Sequence, residues 1–154
     1  MSIYLLAFLI GVTAGLRALT PLAVVSWAAR LGRLPLAGTS LALLSAAAAP
    51  YIISLLALGE LITDKLPKTP SRKAPLGFGA RLVTGALCGA SIGVAGGHLA
   101  GGLIAGLVGA VVGTFGGYEF RKRLVAATGG KDLPIALLED AIAVGGAILI
   151  VFVL

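Results

Sequence analysis

The sequence predicts an all-α, polytopic integral membrane helical bundle, and three observations carry that prediction. First, of 154 residues 58% are hydrophobic and only 12% are charged; a soluble domain carries roughly 25% charged residues. Second, the mean hydropathy is +1.07. Third, the apolar runs are continuous rather than alternating, which argues against strands. They also reach the ~20 residues that a helix rising ~1.5 Å per residue needs to cross ~30 Å of hydrocarbon. About five spans are expected, in a single integral membrane domain over residues 1–154.

The first apolar stretch covers residues 3–29 and is interrupted by Gly15-Leu16-Arg17-Ala18-Leu19-Thr20-Pro21. Pro21 lacks an amide proton and disfavours helix at Thr20, so a broken first helix is expected. The break leaves two readings open: one long kinked span, or two half-helices meeting at a polar turn. Broken helices at membrane depth persist only where protein or a water-filled cavity satisfies the backbone. Met1 to Gly15 lacks the basic start of a secretory signal, so this stretch is read as part of the mature fold.

The second span is expected over residues 39–62, slim at Ala46 to Ala49 and bent near Pro50. Spans three and four are expected over 79–96 and 99–120, joined tightly at Gly96-Gly97-His98, and the fifth over 134–154. Small residues recur every four positions at Gly85, Gly89, Gly93, Gly97, Gly101, Ala105, Gly109, Gly113 and Gly117. That spacing makes a flat ridge where another backbone can approach, either within the fold or in a homo-oligomer. A weak internal hairpin repeat is also visible: residues 15–21 resemble residues 79–85, and each segment precedes a helical hairpin.

The formal net charge is +6. It is read as membrane orientation, not nucleic-acid binding. Lys65, Lys68, Arg72 and Lys73 fall on one side, and Arg121, Lys122, Arg123 and Lys131 fall on the same side after two further spans. The opposite side has Arg30 and Arg33. The basic loops 65–73 and 121–131 are therefore expected to be cytoplasmic.

Charges that interrupt or border apolar runs are costly to keep, so they mark the candidate site. Arg17 needs a carboxylate partner, with Glu60, Glu139 and Asp140 as candidates; Arg81 is a partner or an interfacial anchor. Glu60 and Asp64 share a helix face beside Lys65, and Glu139-Asp140 sits near the start of the last helix, where the dipole favours negative charge. Cys88 is the only cysteine, and His98 lies on the side away from the carboxylates, so no metal-ligand set is read. No cofactor motif or nucleophile arrangement is present either.

Several of these elements together resemble a known family. Glu60-Leu-Ile-Thr-Asp64-Lys65-Leu-Pro67, Arg81-x-x-x-Gly85-Ala86, Tyr118-x-x-Arg121 and Leu138-Glu139-Asp140 resemble the uncharacterised bacterial membrane family catalogued as DUF4126. The chain departs from that pattern at Leu82, where proline is expected, and at Thr69 and Pro70, where a further acid is common. The resemblance implies a bacterial inner-membrane location and no established activity. Two functions are weighed on the residues themselves. One is a small transporter or channel-like carrier of an ion or small solute. The other is an assembly protein with the charges as internal staples. A lipid-modifying membrane enzyme is a third and weaker reading.

Overall fold

The computed structural model describes residues 1–65 and 74–154, and the described residues are helical with no strand. Six α-helices occur: α1 (Ile3–Leu16), α2 (Leu19–Arg30), α3 (Ala49–Thr63), α4 (Pro75–Ala95), α5 (Leu99–Ala127) and α6 (Asp132–Val153), with a short 3-10 helix at Ala42–Ser45. The five expected spans resolve into two classes. Three helices, α4, α5 and α6, are long and apolar enough to cross a membrane. The others have 14, 12 and 15 residues, or about 18–23 Å at ~1.5 Å per residue.

The first stretch breaks where Arg17 becomes extended (φ −141°, ψ 118°). Pro21 does not make the break. It is the third residue of α2, in the first turn, where an amide proton has no intrahelical acceptor to lose. The second stretch also differs from expectation. Residues 39–48 form turns and the 3-10 helix, tied by Thr39 Oγ1 donating to Leu36 O (2.6 Å) and Ser45 Oγ to Ala42 O (2.7 Å). Pro50 opens α3 rather than bending a longer helix. At the other end of the chain, α5 runs seven residues past its expected end at 120. Nothing breaks it before Gly129 and Gly130, whose φ values of +73° and +90° suit glycine. Residues 15–21 straddle a helix break, whereas residues 79–85 lie inside continuous α4, so the similar segments adopt different local structures.

Side-chain contacts fix the directions of the helices. Tyr4 stacks near His98 at 5.5 Å, which places the start of α1 at the α4–α5 turn. Trp27 meets Tyr51 edge-on at 5.0 Å and donates to Ser54, so α3 runs back along α2. The Arg33 guanidinium lies 4.5 Å from the Phe152 ring centroid, which puts the end of α2 near the end of α6. The stretch expected over residues 3–29 therefore forms a helical hairpin with its vertex at Arg17. The α1–α2 vertex, the end of α3 and the start of α6 meet at one end of the bundle.

Glycine sets the spacing of α1, α4 and α5. A Cβ at Gly89 would lie 2.6 Å from Gly106 Cα, one at Gly102 would lie 2.6 Å from Gly93 Cα, and one at Gly15 would lie 2.5 Å from the Thr114 nitrogen. At these positions backbone meets backbone, and any side chain would separate the helices. Gly85, Gly89, Gly93, Gly109 and Gly113 all face other helices of the same chain or the turn that joins them. Gly97 instead sits in the turn at φ +74°, and Gly101 faces the Tyr4 ring. The close contacts of α5 with α4 come from Gly102 and Gly106, whereas Gly109 and Gly113 on the expected spacing meet the backbone of α1. A second core, built from Leu6, Ile10, Val25, Leu36, Ile92 and Ala147, packs α1, α2, α4 and α6 around the buried loop residues Leu34 and Leu36. Ile52, Leu55, Leu56, Ile104, Val112, Ile142 and Leu149 remain exposed. An apolar surface of this extent, on the three membrane-length helices and on the shorter α3, suits a lipid environment.

Candidate functional site

Arg17 is the centre of the site because the helix break aims it inward. Its side chain is 1% exposed. Nε donates to Asp140 Oδ1 at 2.7 Å, and Nη1 donates to Glu139 Oε1 at 2.9 Å and to the Leu16 carbonyl at 3.1 Å. Asp64 Oδ2 lies 3.3 Å from the same Nη1. Three carboxylates thus surround one guanidinium. An unpaired Arg at mid-helix depth costs ~2.5–3.5 kcal/mol on insertion scales, and these carboxylates offset that cost.

The remaining charges extend the cluster. Lys65 Nζ bonds Asp140 Oδ2, so Asp140 bridges Arg17 and Lys65. Lys65 also caps the end of α3 by donating to Leu61 O at 2.8 Å. Arg81 on α4 is buried; Nη2 lies 3.9 Å from Asp64 Oδ2 and Nη1 donates to Gly77 O at 3.3 Å. The structure therefore gives Arg81 an internal partner in Asp64.

Glu60 takes a different role from the expected Arg17 partner. Its Oε1 accepts the Ala18 amide and its Oε2 the Leu19 amide, both at 2.8 Å. These are the exposed donors at the start of α2, where the helix dipole favours negative charge. Neither Arg17 nor Ala18 offers a capping oxygen there, so α3 supplies one from 42 residues away. Asp64, by contrast, was not an expected Arg17 partner, although its i, i+4 spacing from Glu60 puts it on the same face.

Threonines add a part that charge reading misses. Thr114 on α5 donates to Ala110 O at 2.8 Å and lies 3.4 Å from Gly15 O, which holds the end of α1. The Thr20 hydroxyl and Arg17 Nη2 are buried without a hydrogen-bond partner. The only sequence signal for Thr20 is its place in the interrupted segment 15–21.

The cluster lies below the ends of the long helices. Leu76 to Ala80 precede Arg81 on α4, and Leu133 to Leu138 precede Glu139 on α6. At ~1.5 Å per residue the charges sit about 10 Å inside those helix starts. Nearer the end, Arg121 Nε and Nη2 clamp both Asp132 oxygens at 2.9 and 2.8 Å and tie α5 to α6. Lys68, Arg72 and Lys73 of the basic loop 65–73 lie outside the described residues.

All seven charged residues singled out from the sequence, Arg17, Glu60, Asp64, Lys65, Arg81, Glu139 and Asp140, thus belong to one cluster spanning α1–α2, α3, α4 and α6. Such a cluster can hold or exchange a cation or proton, and it can couple that event to the helix break. No curated protein and no solved structure matches the chain. The family described as a domain of unknown function, DUF4126, matches residues 4–153, nearly the whole length, and the chain belongs to that family.

Proposed function

We propose that this protein is a small membrane carrier or channel-like transporter for an ion or small solute, working at the Arg17 cluster. The observation that carries the reading is the placement of that cluster at the vertex of a broken helical hairpin, about 10 Å inside the long helices. Transporters use half-helix ends at membrane depth in this way, because unwound backbone supplies polar groups where lipid cannot. Charge uptake at a carboxylate would shift α1–α2 between two packings against α3 and α6. The end bearing Lys65 and Arg121 to Lys131 faces the cytoplasm in this reading, and the membrane is a bacterial inner membrane. The chain works as a single membrane domain.

The competing reading makes the same charges internal staples of an assembly protein. A specific observation weighs against its glycine interface: Gly85, Gly89, Gly93, Gly109 and Gly113 are already occupied by the chain's own helices. A homo-oligomer would need a different surface.

The test is charge displacement by the purified chain in proteoliposomes on a solid-supported membrane, under proton, sodium and potassium gradients. The carrier reading expects a gradient-driven current that Glu139→Gln removes while the protein stays folded. A current equal to that of empty vesicles under all three gradients would overturn it.

A further inference from the structure

We infer that the ion handled at this cluster is a proton, bound at Glu60, and that binding there loosens the α1–α2 break. The inference rests on the carrier reading for its consequence and on the geometry of the cluster for its site. Among the described residues, three cationic side chains, Arg17, Lys65 and Arg81, face four carboxylates, Glu60, Asp64, Glu139 and Asp140. In such a setting a carboxylate without a cationic partner carries its charge at a cost.

The pairing shows where that charge resides. Asp140 has Arg17 and Lys65, Glu139 has Arg17, and Asp64 lies between Arg17 and Arg81. Among the described residues no Lys or Arg nitrogen comes within ion-pair distance of Glu60. Its direct partners are two amides at the start of a 12-residue helix. The charges acting on it through space are Asp64 on its own helix and Arg81 on α4. Glu139 and Asp140 face the break from α6, and α5 contributes the Thr114 hydroxyl at the end of α1. Arg121 on α5 is bound to Asp132.

A metal cation fits this donor set poorly. Both oxygens of Glu60 and both of Asp140 already accept N–H donors, and the guanidinium and ammonium groups repel a second cation. Hard cations need several oxygens turned toward one point. A proton needs one lone pair. It arrives from water at the polar end and forms one O–H bond on Glu60, and the protonated oxygen loses its hold on the Ala18 or Leu19 amide. A second observation marks unmet polar groups beside Glu60. Arg17 Nη2 is buried in the same cluster with no acceptor, and the Thr20 hydroxyl one residue beyond Leu19 is buried with no partner. Donors of this kind are commonly met by an ordered water.

Infrared difference spectroscopy on the full chain in lipid vesicles, stepped from mildly alkaline to mildly acidic, tests the site apart from transport. The expected result is a protonated-carboxyl component that shifts with heavy-carbon glutamate labelling, stays fixed with heavy-carbon aspartate, disappears in Glu60→Gln and persists in Glu119→Gln. A component that follows the aspartate label, survives Glu60→Gln, or is abolished by sodium or potassium overturns the inference. The labelling arm uses the unaltered chain, so a component that follows the aspartate label overturns the inference even if Glu60→Gln fails to fold, and Glu139→Gln, which should keep the component, separates the two cluster glutamates. A Glu60 component without proton flux would remove the carrier reading and keep the site. Proton flux without the component would do the reverse.

Discussion

The α1–α4–α5 seam and the Arg17 cluster solve the same problem, close contact between helices in lipid, in opposite ways. In the seam, side chains are absent: Gly11, Gly89, Gly102 and Gly106 bring backbones together, and dispersion holds them. In the cluster, side chains span the gaps, and carboxylates from α3 and α6 converge on Arg17. A glycine contact has one arrangement, because neither backbone can move closer or turn without a clash. An ion-pair cluster can exchange partners, because Arg17 meets three carboxylates and Asp140 meets two cations. The comparison teaches that rigidity and responsiveness are separated in this fold. The seam positions α1, and the end of α1 carries the residue that can respond.

The comparison can be broken first at the seam. Gly106 has Gly89 Cα 2.7 Å from its would-be Cβ on one side and Gly11 of α1 on the other. Gly106→Leu is expected to cost more than the ~1–3 kcal/mol of ordinary overpacking, because both neighbours are backbone. Size-exclusion chromatography in detergent should show no monodisperse peak. Gly116→Ala is the control: nothing lies within 4 Å, and helix propensity favours Ala by about 1 kcal/mol. If Gly106→Leu behaves like Gly116→Ala, the seam is not the rigid part.

At the cluster, Arg17→Met should be the next largest effect. It leaves Glu139 and Asp140 buried without their guanidinium, a loss of ~3–5 kcal/mol for breaking a buried pair. Thermal unfolding would read it as a large fall in Tm, partly recovered when Glu139→Gln is added. Absence of recovery would mean that the two residues are not energetically coupled. Glu60→Gln should cost less, about 1–2 kcal/mol, since the amide oxygen still accepts one backbone N–H. Its larger effect should be on flux. Arg121→Ala should change Tm least, within ~1 kcal/mol, because Asp132 is more than half exposed.

Much of the cluster was legible in the sequence because charge is rare there. Arg17, Glu139 and Asp140 stood out as polar residues beside apolar runs, and their pairing in the fold follows from the need to neutralise them. Glu60 was legible as a member of the cluster and not as a cap, since its amide partners lie 42 and 41 residues away. Helix class was equally plain, and helix length was not. Pro21 and Pro50 were read as interruptions, yet both occupy first turns, where proline is at home. The glycine spacing was read continuously through Gly97, although the turn there gives the α4 contacts of α5 to Gly102 and Gly106 and leaves Gly109 and Gly113 of that spacing against α1. A periodicity identifies a helix face only within one helix.

The most direct measurement of the separation between rigid seam and responsive cluster is hydrogen exchange of the full chain in lipid nanodiscs, at neutral and mildly acidic pH. Rates would be corrected for the intrinsic pH dependence of exchange. The amides of Ala18 and Leu19, which Glu60 accepts at neutral pH, should lose protection on acidification, while those of residues 89–106 stay protected. Equal protection of both regions at both pH values would contradict the account.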